Sequence, residues 1–203
     1  EKFFPFTVEI SVLACRGIKG EIKVYPVAEN IHKDSILSET RVPANIPKQV
    51  IPKAMELAKK VMEVFQGVGM FCVEMFVDKE ENIAVNEVAP RPHNSGHYTI
   101  EACATSQFEQ HIRAITGLPL GSSELLKPVV MRNLLGEPGN VGKTNISGAD
   151  TALTIEGVYL HIYGKEECRP NRKMGHITTI ADSMSQALRK AEMAKDAIKI
   201  YGK

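Results

Sequence analysis

Residues 69–97 read GMFCVEMFVDKEENIAVNEVAPRPHNSGH, and the fold of this stretch decides how its surroundings are read. Two apolar runs, Met70–Val77 and Ile83–Val88, flank a short polar turn, the pattern of a β-hairpin. Each run carries one carboxylate among apolar neighbours, Glu74 and Glu87. If the loop is Lys79–Asn82, Asp78 faces Ile83 and Glu74 falls opposite Glu87. Side chains so paired lie roughly 4.5–5.5 Å apart at Cβ, where like charges repel. A cation between them converts that repulsion into a binding site, and carboxylate oxygens suit Mg²⁺ carried on nucleotide phosphates. A one-residue slip would turn a carboxylate outward and remove the site. Next comes a polar loop, Arg91, His93, Asn94, Ser95, Gly96 and His97, held by Pro90 and Pro92. Charged groups on a loop beside a sheet are a common functional arrangement.

Around this centre the composition is that of an ordinary globular chain. Its 203 residues, 43% hydrophobic and 24% charged, suit one large domain or two small ones. A net charge of +1 gives no support to broad electrostatic binding of nucleic acid or membrane, and no apolar run approaches transmembrane length. Cys15, Cys72, Cys103 and Cys168 are far apart with no CxxC pair, so they are expected to be reduced and buried, in a cytoplasmic setting.

Upstream, Thr7–Arg16 alternates as a strand, Gly17–Gly20 turns, and Glu21–Val27 returns as a second strand. A chain that opens in a sheet predicts a first half lying elsewhere. Asn30–Asn45 reads as a polar, irregular segment containing His32. A helix is predicted from Pro52 to Phe65 with Ile51, Ala54, Leu57, Val61 and Val64 as its apolar stripe. Downstream, Ser106 and Glu109 form a capping box for a helix to Thr116, with Phe108, Ile112 and Ile115 facing inward. Composition shifts at Leu120–Pro128, which divides the chain into residues 1–122 and 123–203. Strands are then expected at Val129–Leu135, Glu156–Tyr163 and Met174–Ile180, a glycine-rich loop at Gly136–Ala152, and a closing helix over Met184–Tyr201 capped by Ser183 and Gln186. The fold class is α+β: antiparallel sheet with helices on one face, then a small β-rich tail closed by a helix.

Two motifs mislead. GEPGNVGKT at 136–144 ends in Gly-Lys-Thr, but a P-loop needs glycine where Glu137 stands. His93 and His97 have a zinc-like i, i+4 spacing, but Pro90, Pro92 and Gly96 preclude a regular helix there and no third ligand is placed, so zinc is not expected on that pair. The basic run Arg169–His176, RPNRKMGH, is either a solvated turn or a phosphate clamp.

At NEVAPRPHNSGH, followed by SQFEQHIRAITGLPLG, the sequence resembles the N5-carboxyaminoimidazole ribonucleotide synthase family of ATP-grasp ligases, C-terminal portion. EKFFPFTVEISVLACRG, YPVAENIHKDSIL and YGKEECRPNRKMGHIT carry the same resemblance, which extends over nearly the whole chain except Gly136–Thr154. The resemblance implies ATP and Mg²⁺ as cofactors, with bicarbonate and 5-aminoimidazole ribonucleotide as substrates. Glu1, Lys2, Phe3 and Phe4 would form the adenine hinge, Glu9 would hold the ribose, and His32 would lie near the phosphates. Glu74 and Glu87 would bind Mg²⁺ with Asn86 beside the nucleotide. Arg91, His93 and Asn94 would line the carboxyphosphate pocket. Arg172 and Lys173, assisted by Lys165, would hold the ribonucleotide phosphate. It further implies a homodimer and, in some relatives, fusion to the carboxylase or mutase acting next. Two alternatives stand beside this reading: a non-catalytic ATP-grasp fragment acting as a folding or dimerisation module, or another purine ATP-grasp ligase.

Overall fold

The structure, a computed structural model, describes residues 3–139 and 141–203. In chain order the elements begin with strands β1 (Phe6–Arg16), β2 (Ile22–Val24), β3 (Ala28–Lys33) and β4 (Ile36–Val42), then helix α1 (Val50–Phe65). The hairpin β5 (Gly69–Asp78) and β6 (Ile83–Ala89) follows, then a 3₁₀ turn (Asn94–Gly96), α2 (Thr99–Ala102) and α3 (Gln107–Thr116). The remainder is β7 (Val129–Leu135), β8 (Gly142–Ser147), α4 (Ala149–Leu153), β9 (Val158–Ile162), β10 (Glu167–Cys168), β11 (Lys173–Ile180), α5 (Met184–Ala197) and β12 (Lys199–Gly202).

One nine-stranded antiparallel sheet runs β6-β5-β1-β3-β4-β7-β11-β9, with β2 beside β1, and a three-stranded sheet runs β10-β8-β12. The large sheet crosses residues 122/123 through the β4–β7 pairing, Thr40 opposite Met131. Alternation along β1 sends Ile10, Val12 and Ala14 to one face and Glu9, Ser11, Leu13 and Cys15 to the other. Helix α1 buries Ala54 and Ala58 with Ile10 and Val12. The register carries that face through Glu29 and Arg41 to Val130, where α5 packs Ala187 and Ala191. Between the helices, buried Glu39 accepts from Arg41 and Arg132, the pairing that makes a carboxylate tolerable there. On the opposite face Leu13, Cys15, Met70 and Cys72 pack with Tyr98, Ala102 and Ala114 of the α2–α3 segment. Helices therefore lie on both faces of the sheet rather than one.

Five local expectations change. Asn30–Asn45 is not irregular: β3 and β4 form a hairpin closed by Asp34 and Ser35, both at positive φ (50° and 61°), the two-residue turn that matches strand twist. On α1 the buried residues are Val50, Ala54, Ala58 and Met62, and Val64 is 81% exposed. Helix α3 is inverted: Phe108, Ile112 and Ile115 are exposed while Gln107, Gln110 and Ala114 are buried, because both glutamines serve as hydrogen-bond partners for neighbouring loops. The Gly136–Ala152 loop contains β8 and most of α4, and the last helix stops at Ala197 so that β12 can pair with β8.

The four cysteines are free and buried, and no helix is long and apolar enough to cross a membrane among the described residues.

Candidate functional site: a polar sheet face with opposed carboxylates

Glu74 of β5 stands directly opposite Glu87 of β6. The route to that pairing differs from the simple count. The turn end pairs Val77 with Ile83, one step from the expected Asp78–Ile83, and a bulge leaves Asn86 unpaired and restores Glu74 to Glu87. Asp78 closes the turn instead, accepting from the backbone N–H of Glu80 (2.9 Å) and Asn82 (2.8 Å). Glu74 is half-buried and Glu87 exposed on the sheet-edge strand. Loss of solvent, and then the charge of Glu87, push the Glu74 carboxyl above its usual range. The pair is an all-oxygen donor set whose like charges are only partly offset by His32 and Lys173, which fits a hard divalent cation such as Mg²⁺.

Both carboxylates open on a cavity of about 510 Å³ lined by Glu9, Asn30, His32, Leu37, Phe76, Asn86, His93, Asn94 and Lys173. Its floor is the polar continuation of the α2–α3 face of the sheet. There Asn30 Nδ2 donates to Ser11 Oγ (2.9 Å), Thr40 Oγ1 donates to Asn30 Oδ1 (3.0 Å), and Ser11 Oγ donates to Ser95 Oγ (3.2 Å). Ser11, Asn30, Thr40 and Ser95 are buried and joined by these three bonds, so the floor is pre-organised and not collapsed around a hydrophobic filler.

Two buried amides anchor the loop after β6. Gln107 Oε1 accepts from His93 N (2.8 Å) and Gln107 Nε2 donates to His93 O (2.8 Å). Asn133 of β7 exchanges bonds with the Asn94 amide (3.0 and 2.6 Å) while donating to Leu37 O (2.8 Å). Gly96 is required by this docking, since a Cβ there would lie 2.5 Å from Gln107 Oε1 and 2.7 Å from Leu13 Cδ1. His93 Nδ1 meets Ser95 Oγ (2.9 Å), and burial, then the charges of Arg91, Lys173 and His32, bring its pKa down to about 4. It is a neutral ring at pH 7.

At the cavity end nearest β1, His32 Nδ1 pairs with Glu9 Oε2. Phe4 and Phe6 stack on Phe76, with ring centroids 6.4 and 4.3 Å apart. Phe3 is 82% exposed, and Glu1 and Lys2 lie outside the described residues. At the opposite end Lys165 Nζ donates to Lys173 O (2.6 Å), and Arg172 Nη1 donates to Glu167 O (2.7 Å). Desolvation lowers the Lys173 pKa, helped by the charges of Lys165 and Arg91 and opposed by Glu74. Lys165 is lowered by desolvation, then by Arg172 and Arg169. Cations held together against their own repulsion form a site for an anion.

The structure thus brings Glu9, His32, Glu74, Asn86, Glu87, His93, Asn94 and Lys173 to one cavity. Arg91, exposed and donating to Pro92 O (3.2 Å), and Lys165 stand outside that lining but act on it by charge, while Arg172 lies farther out and acts on Lys165. His93 and His97 part company: His97 stacks on His176 (4.5 Å), which stacks on His161 (4.4 Å). Ser11, Asn30, Gln107 and Asn133 escaped the sequence reading. Only Asn133, interrupting the apolar run Val129–Leu135, left a trace there.

Comparison with known proteins gives this geometry a family. An ATP-grasp domain model matches residues 1–108, and a model of the phosphoribosylaminoimidazole carboxylase C-terminal domain matches residues 129–190. The chain is 49% identical over 178 residues to the N5-carboxyaminoimidazole ribonucleotide synthase of Bacillus subtilis (strain 168), covering 88% of this chain and 45% of that one. It superimposes on the crystal structure of N5-carboxyaminoimidazole ribonucleotide synthetase from Thermotoga maritima with a TM-score of 0.93 at 52% identity, covering 100% of this chain and 55% of that one. An Aspergillus clavatus N5-carboxyaminoimidazole synthase, crystallised with ADP and 5-aminoimidazole ribonucleotide, gives a TM-score of 0.88 at 38% identity, covering 97% and 52%. The chain therefore spans about half the length of these proteins. With the ATP-grasp model covering more than half of its residues, this chain belongs to the ATP-grasp family, and it carries a phosphoribosylaminoimidazole carboxylase C-terminal domain behind that portion.

Proposed function

We propose that this chain supplies one wall of the active site of an ATP-dependent ligase. The reaction is carboxylation of 5-aminoimidazole ribonucleotide by bicarbonate, giving N5-carboxyaminoimidazole ribonucleotide, ADP and phosphate through carboxyphosphate. The observation that carries this reading is one cavity with opposed carboxylates on one side and Lys173, whose backbone carbonyl accepts from Lys165, on the other. Residues 1–122 supply the nucleotide and metal side, and residues 123–203 the substrate-phosphate side.

Glu74 and Glu87 would hold Mg²⁺, which when bound neutralises nucleotide phosphate charge. Glu9, fixed by His32, is placed to accept from ribose hydroxyls, with Phe4 and Phe76 giving an apolar border beside it. Phe3, Glu1 and Lys2 complete the adenine hinge in this reading. Lys173, with Arg172 and Lys165, holds the ribonucleotide phosphate as a cluster of point charges and one guanidinium fork. Arg91 stabilises the anionic carboxyphosphate from the cavity rim. His93, neutral at pH 7, and Asn94, locked by Asn133, orient that intermediate. The catalytic contribution of such fixed groups is positioning and charge stabilisation. Cytoplasmic residence and homodimerisation belong to the same proposal, the first supported by four free buried cysteines.

The test is ADP release from Mg-ATP and bicarbonate by the gene product at its native length. Strong stimulation by 5-aminoimidazole ribonucleotide, lost in Glu87→Ala and in Lys173→Ala, is expected. ATP binding without that stimulation would sink the substrate assignment and leave another amine acceptor to be found.

A further inference from the structure

Among the described residues Cys72, Glu74 and His93 are a cluster in which sulfur, oxygen and nitrogen donors meet. One ligand atom from each lies within 4.8 Å of the other two. Cys72 and Glu74 project from the same face of β5, and His93 arrives on the loop after β6. His93 Nδ1 is 4.0 Å from Glu74 Oε1, and Ser95 Oγ bridges Cys72 Sγ (3.5 Å) and His93 Nδ1 (2.9 Å). The proposed reaction uses Glu74 and His93 but has no use for the thiol.

The two donor sets that share Glu74 differ in softness. Glu74 with Glu87 is all oxygen, which suits Mg²⁺. Glu74 with Cys72 and His93 is a sulfur, nitrogen and oxygen set, which suits Zn²⁺. We propose that Cys72, Glu74 and His93 form a Zn²⁺ site whose occupation withdraws Glu74 from the nucleotide-metal pair. The site itself stands on geometry alone, and only the competition rests on the reading of Glu74 given above.

Bond lengths of about 2.0–2.3 Å place the donors of tetrahedral zinc roughly 3.3–3.8 Å apart, so the cluster must close by about 1 Å. Cys72 is fixed by ladders to β1 and β6. The Glu74 carboxylate and the His93 ring make the movement, His93 exchanging Ser95 for the metal. Binding releases the thiol proton to solvent, and thiolate plus carboxylate then balance the two charges of the ion.

Co²⁺ serves as the spectroscopic probe of the full chain. One equivalent is expected to give the near-ultraviolet thiolate-to-cobalt absorption, absent in Cys72→Ser and Cys72→Ala variants whose melting curves show them folded. Zn²⁺ affinity should fall by more than about 10-fold in both, the least that loss of even an outer partner of a metal ligand costs. Bound Co²⁺ without that absorption, or unchanged Zn²⁺ affinity in the variants, would overturn the site. With free Zn²⁺ held constant by a metal buffer, Mg-ADP should bind the native-length gene product more weakly and its Cys72→Ser variant as before. Equal Mg-ADP affinity with and without zinc overturns the competition. Failure of Mg-ADP to bind the native-length gene product in zinc-free buffer overturns instead the nucleotide reading, and the cobalt absorption still decides the zinc site.

Discussion

The two faces of the nine-stranded sheet are built from the same strands and obey opposite rules. On the face under α1 and α5, Val12, Val73, Met75, Ala54 and Ala58 exclude water and need no specific partner, and the one buried carboxylate between the helices, Glu39, is held by Arg41 and Arg132. On the face under the α2–α3 segment, apolar packing stops after Leu13 and Cys72, and Ser11, Asn30, Thr40, Glu74, Asn133 and His176 follow. The first face contributes stability through area. The second holds Ser11, Asn30, Thr40 and Asn133 in register through hydrogen bonds to fixed partners, and it keeps two like charges opposed where a ligand is to bind. Substitutions should therefore separate: those on the apolar face move the melting temperature, and those on the polar face move ligand affinity or acid sensitivity.

The largest expected effect tests the polar face by pH. His97 and His176 are brought to about 4 and about 3, chiefly by burial and then by neighbouring histidines. Facing them are His161 paired with Glu101 (2.7 Å), Tyr163 donating to or accepting from His176 Nδ1 (2.9 Å), His93 and Lys173. The unfolded chain takes up protons on these rings near pH 6.5, and the folded chain refuses them until about pH 4 and pH 3. Stability present above pH 6.5 is thus lost as pH falls toward 4, by up to about 3 kcal/mol per ring. Urea midpoints measured from pH 8 to pH 4.5 should fall steeply, and His176→Gln should flatten the slope. A slope unchanged by that substitution would show that the stack is not the acid-sensitive element.

Next in size is a cavity on the apolar face. Met62 of α1 is fully buried with Ala14 and Phe71. Met62→Ala should cost about 2–5 kcal/mol. The polar face should not register the change: below the new melting temperature, Mg-ADP affinity should stay at the native value. A drop in affinity would mean that the two faces are mechanically coupled through β5.

How much of this was legible follows the same division. The β5–β6 hairpin could be read because apolar runs flank a polar turn, and its opposed carboxylates came out of the alternation. Even there the pairing depends on a bulge at Asn86 that no pattern announces. The β3–β4 hairpin could not be read. Glu29, Glu39 and Arg41 occupy one face and Asn30, His32 and Thr40 the other, so no period-2 contrast exists, and its turn is Asp-Ser without glycine. Helix α3 was read upside down for a related reason. Its inward glutamines serve other loops, and hydropathy does not distinguish a buried, fully bonded amide from an exposed one. Sequence patterning sees water exclusion, while the candidate site is made of satisfied polar groups.

A smaller effect is expected in the loop after β6, which docks on the polar face. Gly96→Ala places a methyl against Gln107 Oε1 and Leu13 Cδ1, a strain of about 1–3 kcal/mol for an overpacked site. The loop carrying His93 and Asn94 should shift, so nucleotide affinity in the presence of Mg²⁺ should fall together with melting temperature. A melting shift alone would show that the loop position is not critical to the site.

The smallest change in stability has the opposite sign and decides the comparison. Glu74 and Glu87 oppose each other with like charge, and each such pair destabilises by roughly 0.2–1 kcal/mol. Glu74→Gln removes the repulsion and relieves a half-buried charge, so the metal-free chain should melt slightly higher. The same substitution should abolish the stabilisation that Mg-ADP gives the native chain, which follows from ligand linkage. Calorimetry with and without Mg-ADP reads both signs in one protein. A variant that melts lower in the absence of metal would mean that Glu74 is already satisfied within the fold, and the opposed carboxylates would then be a structural pair with no stored preference for a cation.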